Sequence, residues 1–350
     1  MYISFIGSVG IPNCYGGFEA FLEAITPLMV KSDVYITVTC DATKYSNKNP
    51  FYKGVNRLFI NTKANGFLSP LHDLLAFCKI FKRSDVIIVL GVSAGPFFLL
   101  MRIFCSFFNK KLIINIDGIE WRRSKYSFFS KIILRVFDYL AQICAHRIIY
   151  DNAELINFIN FNFRSKAFLI PYSGDHVLRL CDIANVPSSG LSICRIEPEN
   201  NIELILNAVV RSTLKSFTFI GNWNYSPYGI SLRNKFKDYE NLRLLDPVYD
   251  PYEIAIFRES CSVYIHGHSV GGTNPSLVEM LSYDAEIICF DCVFNRETVG
   301  DDALYFSSSS DLINILNQAA SRASSSVARI LPIRYTSEYI SNQYIKACIF

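Results

Sequence analysis

Along the chain, short apolar runs alternate with longer stretches whose apolar residues recur at helical spacing. In the first half YISFI (2–6), VYITVTC (34–40), DVIIVLG (85–91), KLIINI (111–116), RIIYD (147–151) and AFLIP (167–171) read as strands. FEAFLEAITPLMV (18–30), LHDLLAFCKIFK (71–82), a segment opening at Pro96 and FSKIILRVFDYLAQICA (129–145) read as the helices between them. Apolar strands separated by helices predict a buried parallel sheet. The second half repeats this grammar. LSICRI (191–196), FTFIG (217–221), LRLLD (242–246), SVYIHG (262–267) and EIICFD (286–291) are its strands, and 201–212, 251–260 and 275–282 its helices. PYSGD and NVPSSG punctuate the chain between the halves. The pattern predicts an α/β protein of two Rossmann-like, doubly wound domains, 1–172 and 173–330, facing across a cleft. A helix in 331–350 is expected to pack back on the first domain. Ligands of such sheets bind beyond the carboxyl ends of the strands.

Composition narrows this picture little. The 350 residues are 51% hydrophobic and 19% charged, which suits a globular chain with two cores. The longest apolar run, 96–108, is interrupted by Arg102 and too short to span a bilayer; it reads more readily as a core helix than as a segment resting at a membrane surface. The N-terminus enters a strand at once, so no signal peptide is expected. Eleven scattered cysteines, with a single CxxC at Cys289 and Cys292, predict reduced thiols, a cytoplasmic location and no metal. Charge is more informative. Residues 1–165 hold 19 Lys and Arg against 11 Asp and Glu, whereas 166–350 hold 15 against 20. A basic first half suits an anionic membrane surface, and a solvated uneven surface is the plainer reading. Nucleic acid is not the expected partner.

The densest chemistry is HGHSVGGTNPSLVEML (266–281), which follows an apolar strand. Gly271 and Gly272 let a ligand approach backbone, Asn274 can cap the next helix, and Pro275 fits its first position. The amides of that first turn suit a diphosphate. Glu279, one turn in, can accept hydrogen bonds from sugar hydroxyls; the alternative is a capped helix with Glu279 in solvent. A second glycine-rich turn, GSVGIPNCYGGFE (7–19), is too long for a GxGxxG dinucleotide turn. NIDGIEWRRSK (115–125) supplies Asp117, which can orient or deprotonate a hydroxyl, and Glu120, Arg122, Arg123 and Lys125. An ordinary Asp-Gly turn and an exposed basic face explain the same residues. RIEPENN (195–201) places Arg195 at a strand end, where it can clamp a diphosphate, and Glu199 and Asn200 in position to cap. If the second sheet is parallel, Arg195, Asn222, Tyr249 and Glu279 share one edge.

In order, GIPNCYGGFE, NIDGIEWRRSKYS, IPYSGD, RIEPENN, GNWNYSPYG and HGHSVGGTNPSLVEML resemble the bacterial family 4 glycosyltransferases of the GT-B fold. Within them the chain is similar to the rhamnosyltransferases that build capsule and O-antigen units. The resemblance implies a retaining, metal-independent hexosyltransferase. Its donor is a nucleotide sugar, with dTDP-L-rhamnose the best assignment, and its acceptor a polyprenyl-diphosphate-linked saccharide at the inner face of the cytoplasmic membrane. It implies donor contacts from Gly16, Gly17, Arg195, Asn222, Tyr249, His268, Gly272, Thr273, Asn274 and Glu279. Glu279 would hold the ribose and Arg195 the diphosphate. Asp117 and Arg195 are the implied catalytic pair, with Glu19, Glu120, Arg122 and Arg123 on the acceptor side. The chain departs from the wider family in carrying Gly271 where a second glutamate stands and Glu199-Asn200 where a lysine follows the arginine. No carboxylate pair can be assigned as nucleophile and acid, so front-face displacement is expected. The competing readings are an NAD-dependent Rossmann oxidoreductase, with Asp41 as its ribose-binding acid, and a nucleotide-sugar-binding protein without turnover.

Overall fold

The computed structural model describes residues 1–124, 126–180, 183–321 and 330–350. They divide into two compact units. The first comprises Met1–Arg122, Tyr126–Ser173 and Ile333–Phe350, and the second Arg123–Lys125 and Gly174–Pro332.

The first unit contains β1 (Tyr2–Ile6), α1 (Gly17–Val30), β2 (Tyr35–Asp41), β3 (Phe51–Tyr52), β4 (Val55–Ile60), α2 (Ser69–Ile80), β5 (Val86–Leu90) and α3 (Phe98–Phe107). β6 (Lys111–Asn115), α4 (Phe128–Cys144), β7 (Arg147–Tyr150) and β8 (Ala167–Leu169) follow. The eight strands lie in the order β3-β4-β2-β1-β5-β6-β7-β8, parallel except for β3. The β3–β4 hairpin was not legible in the apolar pattern. It turns at Lys53 and Gly54, both at positive φ, and pairs only two residues on each side. The central strands are apolar on both faces: all five residues of β5 are buried, as four of five are in β6.

The second unit contains β9 (Val186–Ile193), α5 (Ile202–Val209), β10 (Ser216–Ile220), α6 (Pro227–Phe236), β11 (Leu242–Leu245), α7 (Pro251–Ser260) and β12 (Cys261–His266). It continues through α8 (Pro275–Met280), β13 (Glu286–Phe290), α9 (Val293–Val299), β14 (Ala303–Phe306) and α10 (Ser309–Ser321). Its six strands run β11-β10-β9-β12-β13-β14 and are all parallel. Strand β9 starts earlier than its apolar residues suggest. The polar stretch at Ser188–Gly190 is strand because Ser189 and Gly190 pair with Ser216 and Phe217 of β10, while Ser189 exchanges side-chain-to-backbone bonds with Ser262 of β12 at 2.7–3.1 Å. Gly190 is needed there, since a Cβ would meet Phe217 at 2.5 Å.

Three helices of this unit open alike, each with a polar cap followed by proline. Ser226, Asp250 and Asn274 accept bonds from amides of the first turn, and Pro227, Pro251 and Pro275 occupy the first helical position. Each of these loops therefore ends at a fixed point on one edge of the sheet. The last helix of the chain, α11 (Ser337–Cys348), belongs to the first unit and packs on α1. Its Tyr344 is fully buried, 5.3 Å from the Phe21 ring, and its hydroxyl accepts from Asn115 at 2.9 Å.

Candidate functional site

In the second unit the strand order reverses between β9 and β12. Strands β10 and β11 lie on one side of that point, and β13 and β14 on the other. Connections to opposite sides diverge there and leave a crevice beyond the carboxyl ends, the usual ligand position of this topology. Because every pairing is parallel, the loops after β9, β10, β11 and β12 all leave by that edge. Arg195, Asn222, Tyr249 and the 267–274 loop therefore share it.

The two loops that flank the crevice are tied together. Nδ1 of His268 lies 2.6 Å from Oδ1 of Asn200, whose amide nitrogen donates to the Arg195 carbonyl at 2.7 Å. The Ser269 amide and hydroxyl both donate to the Glu199 carbonyl, at 3.0 and 2.8 Å. Asn201, in left-handed backbone at φ 51, donates to the Gly267 carbonyl at 2.8 Å. A Cβ at Gly267 would run into the Asn200 carbonyl, so glycine permits this approach. Glu199 and Asn200 thus join loops, and neither serves as the side-chain cap of α5. Asn222 ties in the β10 loop by accepting from the Ile196 amide at 2.7 Å.

Burial, reinforced by the charge of Arg123, lowers His268 to about 4, and burial beside His268 lowers His266 to about 3. Both rings are neutral at pH 7. The Arg195 carbonyl is fixed by this network, yet its side chain is exposed and makes no hydrogen bond or ion pair among the described residues. Tyr249 is likewise exposed. Thr273 is buried, Gly271 holds φ 110, and Asn274 accepts from the Ser276 amide at 3.1 Å as the cap of α8. Gly272 lies between them, half-buried.

The solvated Glu279 of the alternative sequence reading is not observed. One carboxylate oxygen is bonded to Arg258, and the other lies 3.2 Å from Nε2 of His176. Burial pushes this carboxyl upward, but Arg258 and His176 outweigh it and hold Glu279 below the ordinary carboxylate range. An ionised carboxylate accepts about four hydrogen bonds, so two neighbours leave capacity for a hydroxyl. Neither Arg258 nor His176 stood out in the sequence. Arg258 is an ordinary cation in the last turn of α7, and His176 lies in a turn.

In the first unit the order reverses between β1 and β5, and the 7–16 loop leaves β1 at that point. The glycines this loop requires are Gly7 and Gly10, at φ 93 and 113. A Cβ on Gly10 would lie 2.5 Å from the Cys40 sulfur. Gly16, by contrast, is extended and precedes α1, which begins at Gly17. Glu19 was expected on the acceptor side. Glu19 is 4% exposed, and its carboxylate accepts from the Val9 amide at 2.7 Å, clamping the loop from within.

Asp117, at the end of β6, has left-handed backbone (φ 56) and accepts from the Tyr172 hydroxyl at 3.0 Å. Its own amide donates to Asn115 at 2.9 Å. Glu120 accepts from Tyr126 at 3.3 Å. The basic trio does not act as one group. Arg122 stacks over Phe158 at 5.2 Å in the first unit, whereas Arg123 and Ser124 cluster with the second, where Ser124 donates to Glu199 at 2.6 Å. Lys125 lies outside the described residues.

The paired Rossmann-like sheets place the chain in the GT-B class of folds. Sucrose-phosphate synthase from Thermosynechococcus elongatus is similar over 99% of this chain and 94% of its own, with TM-score 0.72 and 12% identity. The lipopolysaccharide outer core galactosyltransferase WaaB covers 99% of both chains, at 0.65 and 14%. Anabaena HepE, solved with UDP and glucose, covers 99% and 96%, at 0.67 and 13%. Likeness at such identities concerns the fold. No curated protein matches in sequence. The family described as a domain of unknown function, DUF1972, matches residues 1–175, and the chain belongs to it.

Proposed function

We propose that the protein is a glycosyltransferase that moves a sugar from a nucleotide-sugar donor to a saccharide acceptor. One observation carries this reading. Arg195 presents an exposed guanidinium without a carboxylate partner at the reversal point of the second sheet, from a loop that His268 and Asn200 hold in place. A rigidly based, uncompensated guanidinium suits a diphosphate. The UDP and glucose held by HepE and the transfer activity of WaaB support the same direction.

On this reading Glu279, kept ionised by Arg258, accepts hydrogen bonds from the ribose. Asn274, Thr273 and the backbone at Gly271 and Gly272 line the sugar and diphosphate. Gly16 and Gly17 approach the donor phosphates. Asp117, held by Tyr172, orients the acceptor hydroxyl. Arg195 stabilises the charge that grows on the leaving diphosphate, which takes the acceptor proton as the new bond forms on the same face. The finer assignment is L-rhamnose from dTDP-L-rhamnose to a polyprenyl-diphosphate-linked saccharide at the inner membrane face, in capsule or O-antigen assembly.

A donor screen tests this. Purified protein is titrated by calorimetry with dTDP, UDP, GDP and NAD, then incubated with labelled donors and polyprenyl-linked glucose. Binding of a sugar nucleotide, transfer, and a loss of about 100-fold in kcat for Arg195→Ala are expected. Binding of NAD alone would replace this reading with the oxidoreductase, and donor binding without transfer to any acceptor with the non-catalytic protein.

A further inference from the structure

In the first unit α3 and α4 pack side by side. Helix α3 turns Phe98, Met101 and Cys105 inward, while α4 buries only Ala141, Gln142 and Cys144 at its C-terminal end. No residue from 128 to 140 is buried. Five of the ten residues of α3 and seven of the seventeen of α4 are large apolar or aromatic side chains more than a third exposed. Phe107 is 82% exposed and Phe129 75%. Phe81 extends the surface by meeting the rings of Phe104 and Phe108 edge-on, at 6.0 and 5.4 Å. A contiguous apolar surface of this kind marks an interaction face.

The charge on this face says what covers it. Lys131 and Arg135 flank the exposed apolar residues of α4, while Arg102 of α3 donates to the Cys144 carbonyl at 3.3 Å. The sole acid of the two helices, Asp138, is half-buried and accepts from Gln142 at 3.1 Å. A second copy of the chain, related by a two-fold axis, would bring like charges together with no acid to pair them. Neither helix is long and apolar enough to cross a membrane. Exposed apolar side chains among lysines and arginines, on helices too short to span, fit a helix pair lying in the headgroup region of an anionic bilayer.

We propose that α3 and α4 form the surface by which the protein lies on an anionic bilayer. Phe107, Phe129 and Ile133 enter the acyl boundary, and Lys131 and Arg135 meet lipid phosphates. This deepens the reading above, on which it rests for the source of the acceptor, but its test needs no donor or acceptor. The full chain is sedimented with vesicles of phosphatidylcholine alone or mixed with phosphatidylglycerol, at low and high salt. Partition onto the anionic vesicles at low salt, roughly tenfold above the neutral ones and reversed by salt, is expected. The double variant Phe129→Ser/Ile133→Ser loses at least about tenfold of that partition, and Lys131→Glu loses several-fold, with unchanged circular dichroism and donor binding. Equal recovery from both vesicle types, or no pelleting, overturns the proposal. So does a lipid-free dimer that Phe129→Ser/Ile133→Ser converts to monomer. Vesicle binding without any sugar-nucleotide binding would count against the transferase reading and leave this surface standing.

Discussion

Nδ1 of His268 sits 2.6 Å from Oδ1 of Asn200, and this bond joins the loop after β12 to the loop after β9. Asn200 also holds the Arg195 carbonyl, so the histidine is linked to the Arg195 backbone through one intermediary. Asn200→Ala removes both bonds. A stability loss of about 1–2 kcal/mol is expected in urea unfolding. Donor binding should weaken by roughly tenfold, as Arg195 loses its fixed base. Unaltered binding in a stable Asn200→Ala protein would show that the loop tie is only structural.

Glu279 and Arg258 separate a binding role from a folding role. Arg258 is buried, its Nε has no partner among the described residues, and Glu279 is its counter-charge. Glu279→Ala strands that cation, and a loss of about 3–5 kcal/mol is expected. The double variant Glu279→Leu/Arg258→Met removes the stranded charge and should recover most of this stability. Calorimetry on the double variant decides the matter. Sugar-nucleotide affinity should remain at least about tenfold weaker, in line with a lost pair of hydroxyl contacts. Wild-type affinity would reduce Glu279 to a folding role.

The first-unit glycines make opposite predictions. Gly10→Ala forces a Cβ against Cys40 in backbone at φ 113, and a loss of more than about 3 kcal/mol or failure to fold is expected. Gly16 is extended, where alanine is tolerated, so Gly16→Ala should leave the thermal midpoint within a few degrees. If Gly16 approaches donor phosphates, the same variant weakens donor affinity. Wild-type affinity there would remove Gly16 from the site.

Asp73, on α2, gives a pH test. Complete burial pushes its carboxyl up to about 7, against a hydrogen bond from Ser93 that pulls it down. The folded value exceeds the unfolded one of 3.8. Between pH 4 and 7 the unfolded chain therefore releases a proton that the folded chain keeps, and this group's contribution falls as pH rises, levelling above 7. Asp73→Asn abolishes that slope. The stability of the variant minus that of the wild type should rise from pH 4 to pH 7 by at least about 1.4 kcal/mol, the equivalent of one pK unit. A difference independent of pH would mean that Asp73 is ionised throughout this range.

The apolar pattern by itself determined the two parallel sheets. Strands apolar on both faces and joined by helices admit few other arrangements. It also placed the loops after β9, β10, β11 and β12 on one edge, since parallel strands send successive carboxyl ends the same way. Cap-and-proline pairs such as Asn274 and Pro275 were legible because the chemistry of a helix start is local. Tertiary structure alone decided what distant residues do to one another. Arg258 and His176 converge on Glu279, Glu19 turns inward to Val9, and Arg122 and Arg123 part company although they are neighbours in the chain. It also decided that α4 lies with its apolar side uncovered, where the sequence read an ordinary amphipathic helix. Periodicity records which residues share a face, but whether anything packs on that face depends on contacts between segments far apart in the chain.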